Sequence, residues 1–172
     1  MASVEELQET VRCLEARLRA VEDVQAIQRL KAHYGELVDR RYSKGRPREG
    51  AELTRIAGQI AELFTDDGVW DGRPALGLCQ GRQQILERMR EPTLDFSWHF
   101  FLKPQITVEG DRASARWDIL SPCTTRDGRP HWMVGTEDDD YRKVDGRWLH
   151  LSMKLSVVFL APHETGWTKG YV

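Results

Sequence analysis

The stretch WHFFLKPQITVEGDRASARW, residues 98–117, decides the fold because the apolar periodicity of the chain changes there. Before it, apolar residues recur at helical spacings of three and four, whereas from Trp98 onward they alternate as in β-strands. The Gly110-Asp111 pair is a hairpin signal, which Asp127-Gly128 and Asp145-Gly146 repeat downstream. These turns separate four predicted strands, at roughly 97–109, 112–124, 130–143 and 147–160.

The residues before this stretch predict three helices. The first forty residues follow one helical pattern, which starts with a capping box of Ser3 and Glu6. A second helix is expected at 53–64 and a third at 81–91, with a short strand at 69–70 between them. Because the helices precede an antiparallel sheet, we predict an α+β domain whose sheet curls around the helices. The concave side of the sheet would then form a cavity.

The composition is that of an ordinary globular protein and argues against several functional classes. The net charge is −2 over 172 residues, so we expect no nucleic-acid partner, and the basic segment 40–50 is interpreted as a solvated loop. Cys13, Cys79 and Cys123 are far apart and form no CxxC motif, which argues against a disulfide framework and a zinc site. The chain shows neither a membrane-spanning run nor a signal-peptide pattern, so we expect a cytoplasmic protein.

The first helix carries a short apolar seam with spacings of four and three, as in a coiled coil. Its residues are Leu7, Val11, Leu14, Leu18 and Val21. Only about two heptads are present, so two interpretations stay open. The helix packs on its own domain, or it contacts a partner.

His99 is a titratable residue inside an aromatic run, which makes it a candidate catalytic base. Side chains alternate between the faces of a strand, so an inward His99 implies that Ser97, Phe101 and Lys103 also face the cavity. The intervening side chains then face outward, where another subunit would cover them: Trp98, Phe100 and Leu102. A histidine among apolar side chains with a carboxylate partner suits proton transfer.

Other elements complete the predicted cavity. Asp39 is the expected partner of His99, because a carboxylate near a helix C-terminus opposes the helix dipole and needs another reason to be there. Tyr34 lies five residues earlier on the same helix, and Glu137 has inward parity on its strand. On the last strand His150 is assigned to the other face. The inward set of that strand is Leu149, Leu151, Met153, Leu155 and Val157.

Five segments in this order resemble the SnoaL-like branch of the nuclear-transport-factor-2-like superfamily. They are VEDVQAIQRLKAHYGELVDRR, ELFTDDGVWDG, GRQQILERM, WHFFLKPQITVEGDRASARW and YRKVDGRWLHL. The resemblance implies a cone-like α+β barrel over residues 23–162, with a helical extension at 1–22 and a tail at 163–172. This branch includes scytalone dehydratase, bile-acid 7α-dehydratase and lindane dehydrochlorinase, which are cofactor-free lyases.

The resemblance also implies roles for three residues. His99 matches the histidine that several of these lyases use as base, and Asp39 matches the aspartate that orients it. Tyr34 matches a helix tyrosine of the bile-acid dehydratase. The chain departs from the pattern at Lys103, where relatives often have asparagine, and near Met153, where the dehydrochlorinases have an arginine. Lys103 is therefore a candidate to replace that arginine.

These observations lead to one functional hypothesis and two alternatives. We expect a cofactor-independent lyase without a metal, which binds a small hydrophobic molecule and self-associates as a dimer or trimer. The alternatives are an isomerase or cyclase with the same base, and a non-catalytic binding or assembly module. The expected substrate-binding residues are Lys103, Phe101, Trp70, Glu137, Met153 and Leu155.

Overall fold

The computed structural model describes residues 2–164 and 166, and the predicted tail at 163–172 lies mostly outside them. Within the described residues the chain forms three helices and nine strands. The helices are α1 (Val4–Asp39), α2 (Gly50–Ala61) and α3 (Arg82–Met89). The strands are β1 (Tyr42–Ser43), β2 (Arg46–Pro47), β3 (Phe64–Asp71), β4 (Leu78–Gln80), β5 (Phe96–Ser97), β6 (Phe100–Glu109), β7 (Arg112–Thr124), β8 (Pro130–Val144) and β9 (Arg147–Pro162).

Seven of these strands form one curved sheet, which confirms the predicted α+β fold. The strand order is β4-β3-β9-β8-β7-β5, and β6 also pairs with β7. The long strands β6 to β9 are antiparallel, as their three turns predict, whereas β3 joins β9 in parallel. Over the described residues the sheet stays open instead of closing into a barrel. The basic segment predicted as a loop contains the small β1-β2 hairpin.

Helix α1 has two parts that differ in their surroundings. Ser3 and Glu6 form the predicted capping box at its start. From Ile27 to Asp39 one face of the helix packs into the concave side of the sheet, beside α2 and α3. The seam residues nearer the N-terminus are between 52% and 57% exposed, so they do not pack on their own domain. The interpretation that the seam packs on its own domain is therefore wrong, and contact with a partner stays a prediction.

The side-chain alternation of β9 changes at a bulge. Tyr141 of β8 pairs with His150, and Asp140 pairs with Ser152, so Leu151 is an extra residue on β9. Two side chains separated by a bulge residue can face the same side although their numbers predict otherwise. His150 is therefore fully buried under the sheet, and so is Met153. The prediction that His150 faces outward was wrong for this reason.

A second irregularity on β9 depends on a glycine of β8. The pairing shifts between Val134 and Gly135, so that Gly135 lies opposite Val157. A Cβ atom added to Gly135 would lie 2.5 Å from the backbone oxygen of Ser156. The two strands approach each other closely there because position 135 has no side chain. Gly58, inside α2, has no atom within 4 Å of the corresponding position.

We predict that Gly135→Ala lowers the free energy of unfolding by about 1–3 kcal/mol, because the backbones of β8 and β9 must separate. The matched control Gly58→Ala should raise it by up to about 1 kcal/mol, since alanine favours the helix. Urea unfolding followed by circular dichroism measures both changes. Equal stability of the two variants would contradict the close approach described here.

Candidate active site

The end of α1 and the gap between β5 and β6 meet at two residues. The Asp39 carboxylate lies 2.7 Å, through Oδ1, from Nδ1 of His99. It also accepts the backbone N–H of His99, with its two oxygens at 3.0 and 3.2 Å from the nitrogen. Because a carboxylate only accepts hydrogen bonds, the contact places the proton of the neutral ring on Nδ1. The other ring nitrogen, Nε2, is then left with its lone pair. The predicted pairing of the two residues is thus present.

Two serines lie on the Nε2 side of the ring. Ser97 Oγ is 3.3 Å from His99 Nε2, and it is 2.9 Å from Ser121 Oγ. Both serines are buried. The sequence analysis placed Ser97 on the face of His99, but it selected neither serine as a site residue. Asp39, His99 and Ser97 therefore form a continuous line of polar contacts.

This line opens on a cavity of about 500 Å³ inside the curved sheet. Tyr34 and His99 line it together with three of the expected substrate-binding residues: Trp70, Glu137 and Leu155. Phe101 lies behind the wall, where its ring is stacked 6.1 Å from that of His99. Met153 is buried in the core cluster and does not line the cavity. The sequence analysis assigned Met153 to the correct face of β9. It did not show that other side chains separate this residue from the cavity.

Tyr34 supplies a buried hydroxyl group to the cavity. The hydroxyl accepts a hydrogen bond from Nε1 of Trp70 at 3.3 Å. Burial and the charge of Glu137 raise the pKa of Tyr34 far above its ordinary value. The phenol therefore keeps its proton at neutral pH and can donate it in a hydrogen bond to a bound molecule.

The expectation that Lys103 faces the cavity is wrong. The residue has a positive φ of 48° at an irregularity in the pairing of β6 with β7, between Leu102 and Gln105. The irregularity breaks the alternation that starts at His99. The Lys103 side chain is 77% exposed, and its Nζ atom pairs with Asp118 Oδ2 at 2.6 Å. Lys103 cannot stabilise an anion inside the cavity from this place.

A different lysine is buried beside the cavity. Lys31 of α1 is fully enclosed, and its Nζ atom donates to Glu137 and, at 2.7 Å, to Asp139 Oδ2. Asp139 Oδ2 also accepts the Tyr141 hydroxyl at 2.7 Å. The ammonium group lies 4.3 Å from the centre of the Phe101 ring. Glu137 thus lines the cavity, and its charge is balanced by the buried Lys31.

Burial and charge act in opposite directions on this group of ions. Burial alone would lower the pKa of Lys31, but the charges of Asp139 and Glu137 outweigh it and raise the pKa. Burial raises the pKa of Asp139 to about 6, against the lowering effect of Lys31. Sequence reasoning missed Lys31. The available signal was that Lys31 shares a helix face with Ile27 and Tyr34.

Among residues 2–164 and 166, no three His, Cys, Asp or Glu side chains come together as metal ligands. In the same part of the chain, no helix combines the length and the apolar character that a membrane span requires.

A family model described as a SnoaL-like domain matches residues 54–154, which is more than half of the chain. The chain belongs to the SnoaL-like domain family. The resemblance found in the sequence is thereby confirmed.

Solved structures similar to this SnoaL-like domain share its fold. A hexachlorocyclohexane dehydrochlorinase, LinA type 2, aligns with a TM-score of 0.72 at 18% identity, over 85% of this chain and 92% of its own. An NTF2-like protein with a cystatin-like fold from Novosphingobium aromaticivorans aligns with a TM-score of 0.67 at 25% identity, over 92% of both chains. A candidate scytalone dehydratase from the same species gives 0.67 at 18% identity, over 83% and 89%.

We predict that Lys31→Met lowers the free energy of unfolding of this SnoaL-like domain by about 3–5 kcal/mol at pH 7, because it leaves two buried carboxylates without a cation. The folded-state pKa of Asp139, about 6, lies above its ordinary value of 3.8. Ionisation of Asp139 therefore opposes folding. The protonated carboxyl group favours the folded state, and this contribution to stability is lost as the pH rises through about 6. The penalty of the substitution should shrink as the pH falls from 7 to 4.

The control for this experiment is Lys103→Met, which removes a lysine of similar length from the exposed pair with Asp118. Its urea midpoint should stay close to that of the wild type at every pH. A Lys31→Met penalty that is small, or that does not depend on pH, would contradict the role given to the buried ions.

Proposed function

We propose that this SnoaL-like domain is a cofactor-independent lyase that eliminates water, or a similar leaving group, from a small cyclic or aromatic substrate. The observation that carries the proposal is the ring of His99, which is held by Asp39 at Nδ1 and belongs to the wall of a cavity lined mainly by apolar side chains. A histidine oriented in this way is a general base that needs no further group to activate it.

The reaction begins with the transfer of a proton from a substrate carbon to Nε2. The carbon lies next to an electron-withdrawing group, and the electron pair of its C–H bond forms the new C=C bond while the bond to the leaving oxygen breaks. The imidazolium is stabilised by Asp39, and it returns the proton to the departing oxygen, which leaves as water. Tyr34 donates a hydrogen bond to the oxygen that gains charge.

Glu137 and the apolar walls orient the substrate. Glu137 is held by Lys31, so its carboxylate can accept a hydrogen bond from a substrate hydroxyl without moving. Trp70 and Leu155 enclose the apolar part of the molecule and exclude water. An isomerase or a cyclase would use the same base, and it would return the proton to carbon or close a ring. A non-catalytic module would use the cavity as a ligand socket.

We predict that His99→Ala lowers kcat by at least about a hundredfold on a panel of cyclic β-hydroxy ketones, with the fold intact, because a positioned base contributes on the order of 10²–10⁴ in rate. Asp39→Asn should lower kcat nearly as much, and the double variant little more, because the two residues act as a unit. Formation of the enone is followed by its ultraviolet absorbance.

Two further variants sharpen this test. Lys103→Met should keep wild-type turnover, because Lys103 lies outside the cavity. Ser97→Ala should retain most of the activity if Nε2 takes the proton directly, and it should abolish the activity if Ser97 is a nucleophile activated by His99. Wild-type turnover in both His99→Ala and Asp39→Asn would overturn the proposed mechanism. Unchanged ligand affinity in His99→Ala without turnover of any substrate would favour the binding module.

We also propose that the chain self-associates as a dimer or trimer. On the outer face of the sheet, Trp98, Phe100 and Leu102 are between 44% and 48% exposed. The helical extension at 1–22 is a second apolar surface outside the SnoaL-like domain proposed at 23–162, and its seam is half exposed. Contiguous exposed apolar surfaces of this kind mark protein–protein contacts more often than scattered apolar side chains do.

Light scattering at micromolar concentration should therefore give a mass above that of one 19.9 kDa chain. Two charged double variants should assign the interface, Phe100→Glu/Leu102→Glu on the sheet and Leu14→Glu/Leu18→Glu on the seam. The oligomer should dissociate in the double variant whose substitutions lie in the interface, because burial of the new charges is unfavourable. Ala16→Glu, off the seam, serves as the control. A monomeric wild type would disprove self-association.

A further inference from the structure

Two arginines that sequence reasoning did not select line the cavity. Arg41 follows the end of α1, and Arg88 lies in the last turn of α3. Arg41 is only 8% exposed, and Arg88 is half-buried. Their positions in the fold are fixed by contacts with the backbone. Arg41 Nε donates to the Val38 carbonyl at 3.1 Å, and Arg88 Nη1 donates to the Glu91 carbonyl at 2.8 Å.

The charges of these arginines are not neutralised within the described part of the chain. No carboxylate oxygen of residues 2–164 and 166 lies within 4.0 Å of a nitrogen atom of either guanidinium group. The remaining contacts of Arg41 Nη1 are long and neutral, with the Met89 carbonyl at 3.5 Å and the Met89 sulfur at 3.6 Å. Arg73 at the same cavity differs, since it is paired with Asp71 at 2.6 Å.

Two unpaired cations at one apolar cavity are unfavourable without a ligand. Burial lowers the pKa of Arg88, and the charge of Arg41 lowers it further. A guanidinium nevertheless stays protonated at neutral pH, so the two arginines repel each other. Buried charges in proteins are normally paired. A ligand in the cavity can reach both guanidinium groups, because both arginines line it.

Tyr42 adds a neutral donor to the same group. It is buried, lines the cavity and has its ring 5.6 Å below the Arg41 guanidinium. Its hydroxyl makes no hydrogen bond to another residue of the described chain, whereas the hydroxyl of Tyr34 does. Burial raises the pKa of Tyr42, so the phenol keeps its proton and can donate it.

We infer that Arg41, Arg88 and Tyr42 form an anion subsite, and that the natural ligand is an aromatic or alicyclic acid whose carboxylate binds there. This inference deepens the proposed function, because it assigns a class of substrate to the same cavity. A carboxylate accepts two parallel hydrogen bonds from one guanidinium and further bonds from a second donor. The rest of the cavity, about 500 Å³, accommodates the apolar ring system.

The carboxylate of the ligand anchors it in the cavity and takes no part in bond breaking. Arg41 lies two residues after Asp39, so the anion subsite and the carboxylate that holds His99 lie next to each other at the end of α1. An acid anchored by its carboxylate therefore has few orientations in which it can approach Nε2. The subsite also supplies the cavity cations that the sequence analysis assigned to Lys103.

The test compares the binding of 2-naphthoate with that of its neutral analogue 2-naphthamide by isothermal titration calorimetry. The wild type should bind the acid at least about tenfold more tightly, because a hydrogen bond to a charged group contributes more than a neutral one. Arg41→Gln and Arg88→Gln should each abolish this preference and leave naphthamide affinity unchanged. Arg73→Gln, at the same cavity but paired with Asp71, should keep it.

Several results would overturn the inference. They are equal affinity for the acid and the amide, no binding of 2-naphthoate up to its solubility limit, and an unchanged preference in Arg88→Gln. Tighter binding of 2-naphthyl phosphate than of 2-naphthoate would show that the subsite is made for another anion. If Arg41→Gln does not fold, as judged by circular dichroism, Arg88→Gln decides alone, since that residue is half-buried. Binding by His99→Ala separates the subsite from catalysis, because naphthoate should bind there even if no turnover is found.

Discussion

The contact between Asp39 and His99 is the interaction on which the site depends. One carboxylate accepts hydrogen bonds from the backbone and from the ring of the same histidine, which joins the end of α1 to the gap between two strands. The backbone bond replaces a missing sheet partner, and the ring bond selects the tautomer. The structural role and the proposed chemical role of Asp39 therefore coincide, so that Asp39→Asn tests the chemistry with less disturbance than a truncation.

A second polar contact fixes α1 against the sheet two turns earlier. Lys31 holds Glu137 and Asp139 on β8, and all three side chains are buried. Such ions stabilise little when they are compared with an apolar core, but they are costly to break singly. Asp39 and Lys31 thus fix both the position and the rotation of the helix. Tyr34, which lies between them on the helix, is held in the cavity by both.

The sequence was sufficient for the parts that rest on local rules and insufficient where backbone irregularities intervene. The capping box, the three turns and the strands follow from propensity and periodicity, and the Asp39–His99 pair follows from the family pattern. The bulges at Lys103 and Leu151 are invisible to strict alternation, so that Lys103 and His150 were assigned to the wrong faces. The pairing of Lys31 with Glu137 requires knowledge of which helix turn meets which strand, and periodicity does not supply it.

The continuity of α1 couples the orientation of the exposed seam to the rest of the domain. One uninterrupted helix of 36 residues carries the exposed seam at its start and Asp39 at its end. Each residue inserted between the two parts would rotate the seam by about 100° and advance it by about 1.5 Å relative to the domain, without moving Asp39. The orientation of the seam can therefore change in discrete angular steps while Asp39 and His99 stay in place.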